Sequence, residues 1–183
     1  TIGIMTAAES LKVLMPFTLS NIVLREFVHS DICSRYITWL NDVEVVKYSN
    51  QRFIEHNYSS CEEYFNSMQA AGKLFVAIED KQTKELIGTL SVHFALAHGV
   101  ADIGIMLGEK SYWGKGIGKT AWQGMIKLLA SSGVRKITGG ALASNLSMIN
   151  IMQSSSMQLD GVRIAQEVVD GKSIDIVHYA KFV

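Results

Sequence analysis

Apolar positions alternate in some stretches of the chain and recur every third or fourth residue in others, and each change of period marks an element. The run "FTLSNIVLREF" (17–27) alternates and is rich in β-formers, which predicts a first strand. In "DICSRYITWLND" Asp31 stands as N-cap and Ile32, Tyr36, Trp39 and Leu40 share one face, a helix pattern. "YSSCEEYFNSMQAAG" repeats it, with Ser59 or Ser60 capping, Glu62 and Glu63 in the first turn and Gly72 as the stop. The period then falls back to two. "KLFVAIED", "ELIGTLSVHFAL" and "GVADIGIMLG" are strands joined by short connections, so residues 73–108 read as an antiparallel meander. Helical spacing returns from Thr120 to Leu129 and ends at Gly133; a strand (135–143), a helix from Asn145 and two closing strands near 157–168 and 172–182 complete the chain.

This order predicts an α+β fold: a central, mixed, mostly antiparallel sheet of about seven strands flanked by about four helices. At 183 residues one domain is expected, and its boundaries are set at 17–183 behind a leader of residues 1–16 that lacks the basic and apolar regions of a signal peptide. No stretch is apolar for long enough to be a membrane helix, and 17 basic residues balance 17 acidic ones, so neither a membrane nor nucleic acid is expected as partner. Cys33 and Cys61 have no metal-ligand spacing and neither do the five histidines, so no metal is expected; the thiols fit a reducing, cytoplasmic setting. The apolar last strand leaves monomer and homodimer both open.

The densest chemistry lies in "SYWGKGIGKTAW" (111–122). Residues 116–121 satisfy the dinucleotide fingerprint G-x-G-x-x-G/A, and residues 113–120 end like a Walker A loop with Trp113 where its first Gly belongs. A third reading is a pyrophosphate loop for acetyl-CoA. The dinucleotide reading needs a βαβ unit and a ribose-binding acid, and the Walker reading needs a magnesium-binding Asp. Residues 110–159 contain no acid, and the loop follows an antiparallel meander. The same segment carries Lys110, Lys115, Lys119, Lys127, Arg135 and Lys136, a local positive excess that suits a ligand with several phosphates and no metal.

On these residues the chain resembles the GNAT superfamily of N-acetyltransferases, and within it the branch of ribosomal-protein N-terminal acetyltransferases. Residues 113–118 match the R/Q-x-x-G-x-G/A loop with Trp at the first position; "WLNDVEVVKY" (39–48) is similar to that branch's W-x-N-D-x-E-V segment, and "ADIGIMLG" (101–108) to its "AEIGY" strand. Asn145 with Gly161 sixteen residues on matches the spacing of its Asn helix and following strand.

The resemblance implies direct transfer of acetyl from acetyl-CoA to a primary amine, of a small metabolite such as an amino sugar or of a protein N-terminus. It assigns Ile105, Met106 and Leu107 to the pantetheine arm and acetyl carbonyl. Trp113, Gly114, Lys115, Gly116, Ile117, Gly118, Lys119 and Thr120 go to the pyrophosphate, and Asn145 to the far side of the arm. Asp102 stands at the family's Glu position, either as general base or as a solvated carboxylate on an open face of the sheet. Trp39, Asp42, Glu44 and Arg52 belong to the acceptor segment, and His93 is a secondary base candidate. The family's general-acid Tyr is replaced by Met152, which leaves Ser147 or water to protonate the thiolate. The missing Tyr also motivates an alternative: a CoA-binding sensor or partner protein that has lost the chemistry.

Overall fold

The structure, a computed structural model, describes residues 6–183. Eight strands form one sheet in the order β1-β2-β3-β4-β5-β6-β8-β7. In chain order the elements are α1 (Ala7–Val13), β1 (Phe17–Leu19), β2 (Ile22–Glu26), α2 (Ser34–Asn41), α3 (Tyr58–Ser67), β3 (Lys73–Asp80), β4 (Leu86–Ala95) and β5 (Val100–Leu107). After these come α4 (Ile117–Ala130), β6 (Lys136–Leu142), α5 (Leu146–Ser154), β7 (Gln158–Val169) and β8 (Lys172–Phe182). All neighbours are antiparallel except β5 and β6. The mixed, mostly antiparallel architecture is the expected one, with one strand and one helix more than the pattern predicts.

Each difference has a local cause. The run 17–27 is a hairpin, because Ser20 adopts a left-handed φ of 36° and folds Phe17 back onto Leu24. Asp31 does not cap α2: its carboxylate accepts two bonds from Arg25 (2.8 and 2.9 Å), and Cys33 takes the cap position. The next helix is capped by Asn57, which exchanges bonds with Ser60 in a capping box, rather than by Ser59 or Ser60. Within residues 1–16, Thr6 and Glu9 form a capping box that starts α1, and Leu11 is fully buried in the main core. The apolar last strand, β8, lies inside the sheet between β6 and β7, so β7 supplies the edge.

The sheet separates two cores. On one face α4 lays Trp122, Met125 and Leu129 against Ile103 and Ile137, with Met152 of α5 beside them; all are almost completely buried. On the other, α2 and α3 cover only the β2–β5 side, packing Tyr36, Trp39, Leu40 and Cys61 onto Phe75, Ala77 and Leu86. This second layer stops short of β6, leaving the face of β5 and β6 beyond it uncovered.

Candidate active site

β5 and β6 pair only from Val100↔Lys136 to Asp102↔Thr138. Beyond that point β5 follows β4 as far as Leu107, while β6 follows β8 as far as Leu142, and the sheet opens into a cleft. The loop after β5 closes one end of the cleft. Gly114 (φ 72°) and Gly116 (φ 76°) are left-handed, a conformation that costs a side-chain-bearing residue about 1–2 kcal/mol. A Cβ on either would meet open space, so backbone conformation rather than crowding calls for glycine here. Among the described residues none accepts a hydrogen bond from the backbone N–H groups of residues 114–119. Six donors thus stand free at the start of the 14-residue α4, where the helix dipole adds roughly half a positive charge.

Trp113, which departs from the family's usual first position, holds the loop to the strand: its indole N–H donates to the Leu107 carbonyl (2.8 Å). Tyr112 anchors the same turn by donating to Asp80 Oδ2 (2.6 Å), and that bond holds the Asp80 carboxyl below its usual range. A groove of 1130 Å³ runs along the cleft. It brings together Ile105, Leu107, Trp113, Gly114, Gly116, Ile117, Gly118, Lys119, Asn145 and Ser147. Strand alternation turns Met106 to the opposite face, where it packs with the second core. Thr120 donates its hydroxyl back to the Gly116 carbonyl (3.0 Å), and Lys115 lies over the Tyr112 ring (5.8 Å).

The positive excess of residues 110–159 does not converge on this groove. Lys110 pairs with Asp42 (2.7 Å) and Glu44 (2.5 Å), Lys136 pairs with Asp160 (2.9 Å), and Arg135 donates to the His98 carbonyl (2.7 Å). The hydrogen bond that Lys110 donates lowers the Asp42 pKa and raises that of Lys110. Of that segment's cations Lys119 lines the groove, near the free N–H groups, and Lys47 lines it from the segment after α2.

A second cavity, of 760 Å³, adjoins the groove on the α2/α3 face. Its floor is the sheet at Phe75, Thr89, Ser91 and Gly104; Tyr36 and Leu40 of α2 and Ser60 and Tyr64 of α3 form the walls, and residues 45–54 the roof. Val45, Tyr48, Ile105, Leu107 and Asn145 line both spaces, so the two meet where β5 leaves β6. Asn145 caps α5 by accepting from Met148 N–H (3.2 Å), which leaves its amide NH₂ free to donate.

Most residues expected to bind the acceptor support this cavity instead of lining it. Trp39 is buried, its ring so close under Gly108 that a Cβ there would lie 2.1 Å from it. Asp42 is occupied with Lys110, and Glu44 lines the groove. Arg52 ties the roof to β7, reaching Glu167 (3.5 Å) and the Val168 carbonyl (3.3 Å) while donating to the Ser49 carbonyl (2.8 Å). Asp102 and His93 sit opposite each other on β5 and β4, both exposed and outside both spaces; Asp102 accepts from the Thr138 hydroxyl (2.6 Å). Met152 is sealed in the main core, and Ser147 is an exposed residue of the groove.

Sequence reasoning missed His56, Glu63 and Thr89. His56 is held by a reciprocal pair with Asn41, its N–H donating to Asn41 Oδ1 and its carbonyl accepting from Nδ2, both at 2.8 Å. Its Nδ1 lies 3.3 Å from Ser60 Oγ, its Nε2 is buried without a partner, and burial pushes the imidazole pKa down. The spacing around His56 carries no signal; polar Thr89 and Ser91 inside an apolar strand run are a signal that could have found them. Among the described residues no group of three or more His, Cys, Asp or Glu is placed to hold a metal, and no helix is long and apolar enough to cross a membrane.

Solved structures that match this architecture include acetyltransferases. The microcin C7 self-immunity acetyltransferase MccE, in complex with acetyl-CoA and AMP, superposes with a TM-score of 0.78 at 21% identity, over 90% of this chain and 94% of its own. RimL, a ribosomal L7/L12 α-N-protein acetyltransferase bound to coenzyme A, gives 0.81 at 16% identity over 92% and 97%. The spermidine N-acetyltransferase of Vibrio cholerae, with CoA and spermine, gives 0.79 at 18% over 90% and 96%. At these identities the likeness is one of fold. No curated protein sequence matches the chain. The sequence model of the acetyltransferase (GNAT) domain, however, matches residues 21–158, a span that runs from β2 through the free N–H groups to the start of β7, and the chain belongs to the GNAT acetyltransferase family.

Proposed function

We propose that the protein is an acetyl-CoA-dependent N-acetyltransferase that delivers acetyl directly to a primary amine seated in the 760 Å³ cavity, working in the cytoplasm. The observation that carries this reading is the set of free N–H groups of residues 114–119, at a helix start with two left-handed glycines, opening on a groove that meets a second cavity. Such a nest fits the pyrophosphate of coenzyme A, and the cleft between β5 and β6 fits an extended arm. When bound, acetyl-CoA supplies the acetyl group as a thioester.

The chain's own residues account for the rest. An amine arrives protonated at neutral pH and must lose a proton before its lone pair can attack. His56, its pKa lowered by burial and its Nε2 sealed, reaches the acceptor cavity through Ser60, whose Oγ lies 3.3 Å from Nδ1 and can pass the proton on, and Glu63 is the carboxylate of the cavity. Asp102 lies outside both spaces, which favours the solvated-carboxylate alternative for it. At the junction Asn145 offers an amide donor and Tyr48 a phenol, the acid chemistry that buried Met152 cannot supply. The non-catalytic alternative draws on that same buried Met152.

Thiol release from acetyl-CoA over an amine panel tests the reading, with CoA affinity measured alongside. Turnover with at least one amine is expected. Tight CoA binding with no turnover on any amine would transfer support to the non-catalytic alternative.

A further inference from the structure

Two buried polar residues stand out among the described ones, Thr89 and Ser155. Ser155 is accounted for, since its hydroxyl donates to the Ile151 carbonyl (2.7 Å). The Thr89 hydroxyl has no protein partner among the described residues, and neither has the phenol of Tyr36, a residue only 3% exposed. Neither oxygen is sealed away, because the sealed and unpaired side-chain atoms are His56 Nε2 and His178 Nε2. Both hydroxyls therefore open onto the cavity that their residues line. Ser91 follows Thr89 by two residues on the same face of β4, and Gly104 beside it keeps that end open: a Cβ at 104 would come within 3.0 Å of Ser91 Oγ. A hydroxyl in an apolar core without a partner is costly, so hydroxyls turned into a cavity mark places where polar atoms of a ligand belong.

The charge of the lining narrows the ligand further. Glu63 is the one carboxylate among the lining residues, and no Lys or Arg is present. A nucleotide-linked amine would bring phosphate charge with no cation to meet it. A polyamine would bring several ammonium groups to one carboxylate, and unmatched charge in a partly desolvated site is expensive.

From these hydroxyls and this charge balance we infer that the acceptor is a compact, hydroxylated monoamine, an amino sugar or amino alcohol with one ammonium group and no phosphate. This rests on the cavity being the acceptor site of the acetyltransferase proposed above. The amine points to the junction, Glu63 is the carboxylate that balances its charge from the cavity wall, and the hydroxyls of the substrate exchange bonds with Thr89, Ser91 and Tyr36.

Calorimetric binding to the full chain tests the class independently of turnover. The probes are glucosamine and serinol, their counterparts without hydroxyls (cyclohexylamine and isopropylamine), spermidine, a UDP-linked amino sugar and a tripeptide. The hydroxylated monoamines are expected to bind about tenfold tighter than their counterparts, the worth of one or two net hydrogen bonds. Thr89→Val, which keeps the shape and removes the hydroxyl, should close most of that gap. Ser91→Ala gives a second reading if the first variant folds poorly. Tightest binding of spermidine, the UDP-linked sugar or the tripeptide overturns the inference, and so does a gap that neither variant narrows. Thiol release separates the two levels: fastest turnover of spermidine sinks the acceptor class and keeps the acetyltransferase, whereas selective glucosamine binding with no turnover of any amine keeps the class and sinks the enzyme.

Discussion

The groove proposed for the cofactor presents mainly backbone donors, and the cavity proposed for the acceptor mainly side chains. In the groove the donors are amide N–H groups of residues 114–119, presented by two left-handed glycines, and the side-chain bonds of Trp113, Tyr112 and Thr120 brace the loop without entering that set of donors. In the cavity the work falls to hydroxyls, one imidazole and one carboxylate from β4, α2, α3 and the segment between the helices. A backbone site tolerates change in most side chains but not in backbone conformation. A side-chain site shows the reverse, and each substitution can retune it.

That contrast orders the expected effects. Gly116→Glu forces a side chain into a left-handed conformation and sets a carboxylate among anion-binding donors; CoA affinity should fall on the order of 100-fold or more. Retained affinity in a titration would reject the nest as the phosphate site. On the acceptor side, His56→Gln should lower kcat/KM on the order of 100-fold with CoA affinity unchanged. Because burial lowers the His56 pKa, its neutral form persists below the ordinary value of about 6.5. The acid limb of the rate profile should therefore lie below that value and vanish in the variant; a limb that survives would assign it elsewhere. The same depression means that the unfolded chain binds the proton more readily than the folded one, so stability through His56 is present above the unfolded pKa and is lost as pH falls. Trp113→Phe keeps the ring and removes one hydrogen bond, and CoA should bind roughly fivefold more weakly, about 1 kcal/mol. A loss as large as that of Gly116→Glu would show that the indole does more than tether the loop. Smallest of all, Asp102→Asn should change kcat/KM by less than about threefold, since general-base removal costs about 100-fold or more. A drop of that larger size, with the pH profile flattened, would return the base to β5.

The same division explains what could be read in advance. The meander, the loop and α4 were legible because period, glycine and charge are written locally, and the free N–H groups follow from Gly114, Gly116 and the helix that starts at Ile117. The residues of the acceptor cavity were legible only as types. Trp39 and Arg52 sit in the right segment, yet which of them lines a cavity depends on partners distant in the chain: Gly108 for Trp39 and Glu167 for Arg52. Lys110 reads in the sequence as a cation for phosphate because nothing near it is acidic except Glu109, while its partners Asp42 and Glu44 are supplied by the segment after α2. The hairpin at Ser20 was hidden for a different reason, since its turn interrupts the alternation without breaking it.

The bond between Arg52 and Glu167 bears on the order in which the molecule assembles. The parts of the phosphate loop are near neighbours in sequence, with Trp113 only six residues from the carbonyl it holds. The roof of the acceptor cavity is closed across 115 residues, by a strand near the end of the chain. Closing so long a loop costs conformational entropy that the local loop does not face. During synthesis the loop at 113–120 can take shape while the roof of the cavity still waits for β7 to emerge, and hydrogen exchange should find the amides of residues 46–54 opening well before those of α4.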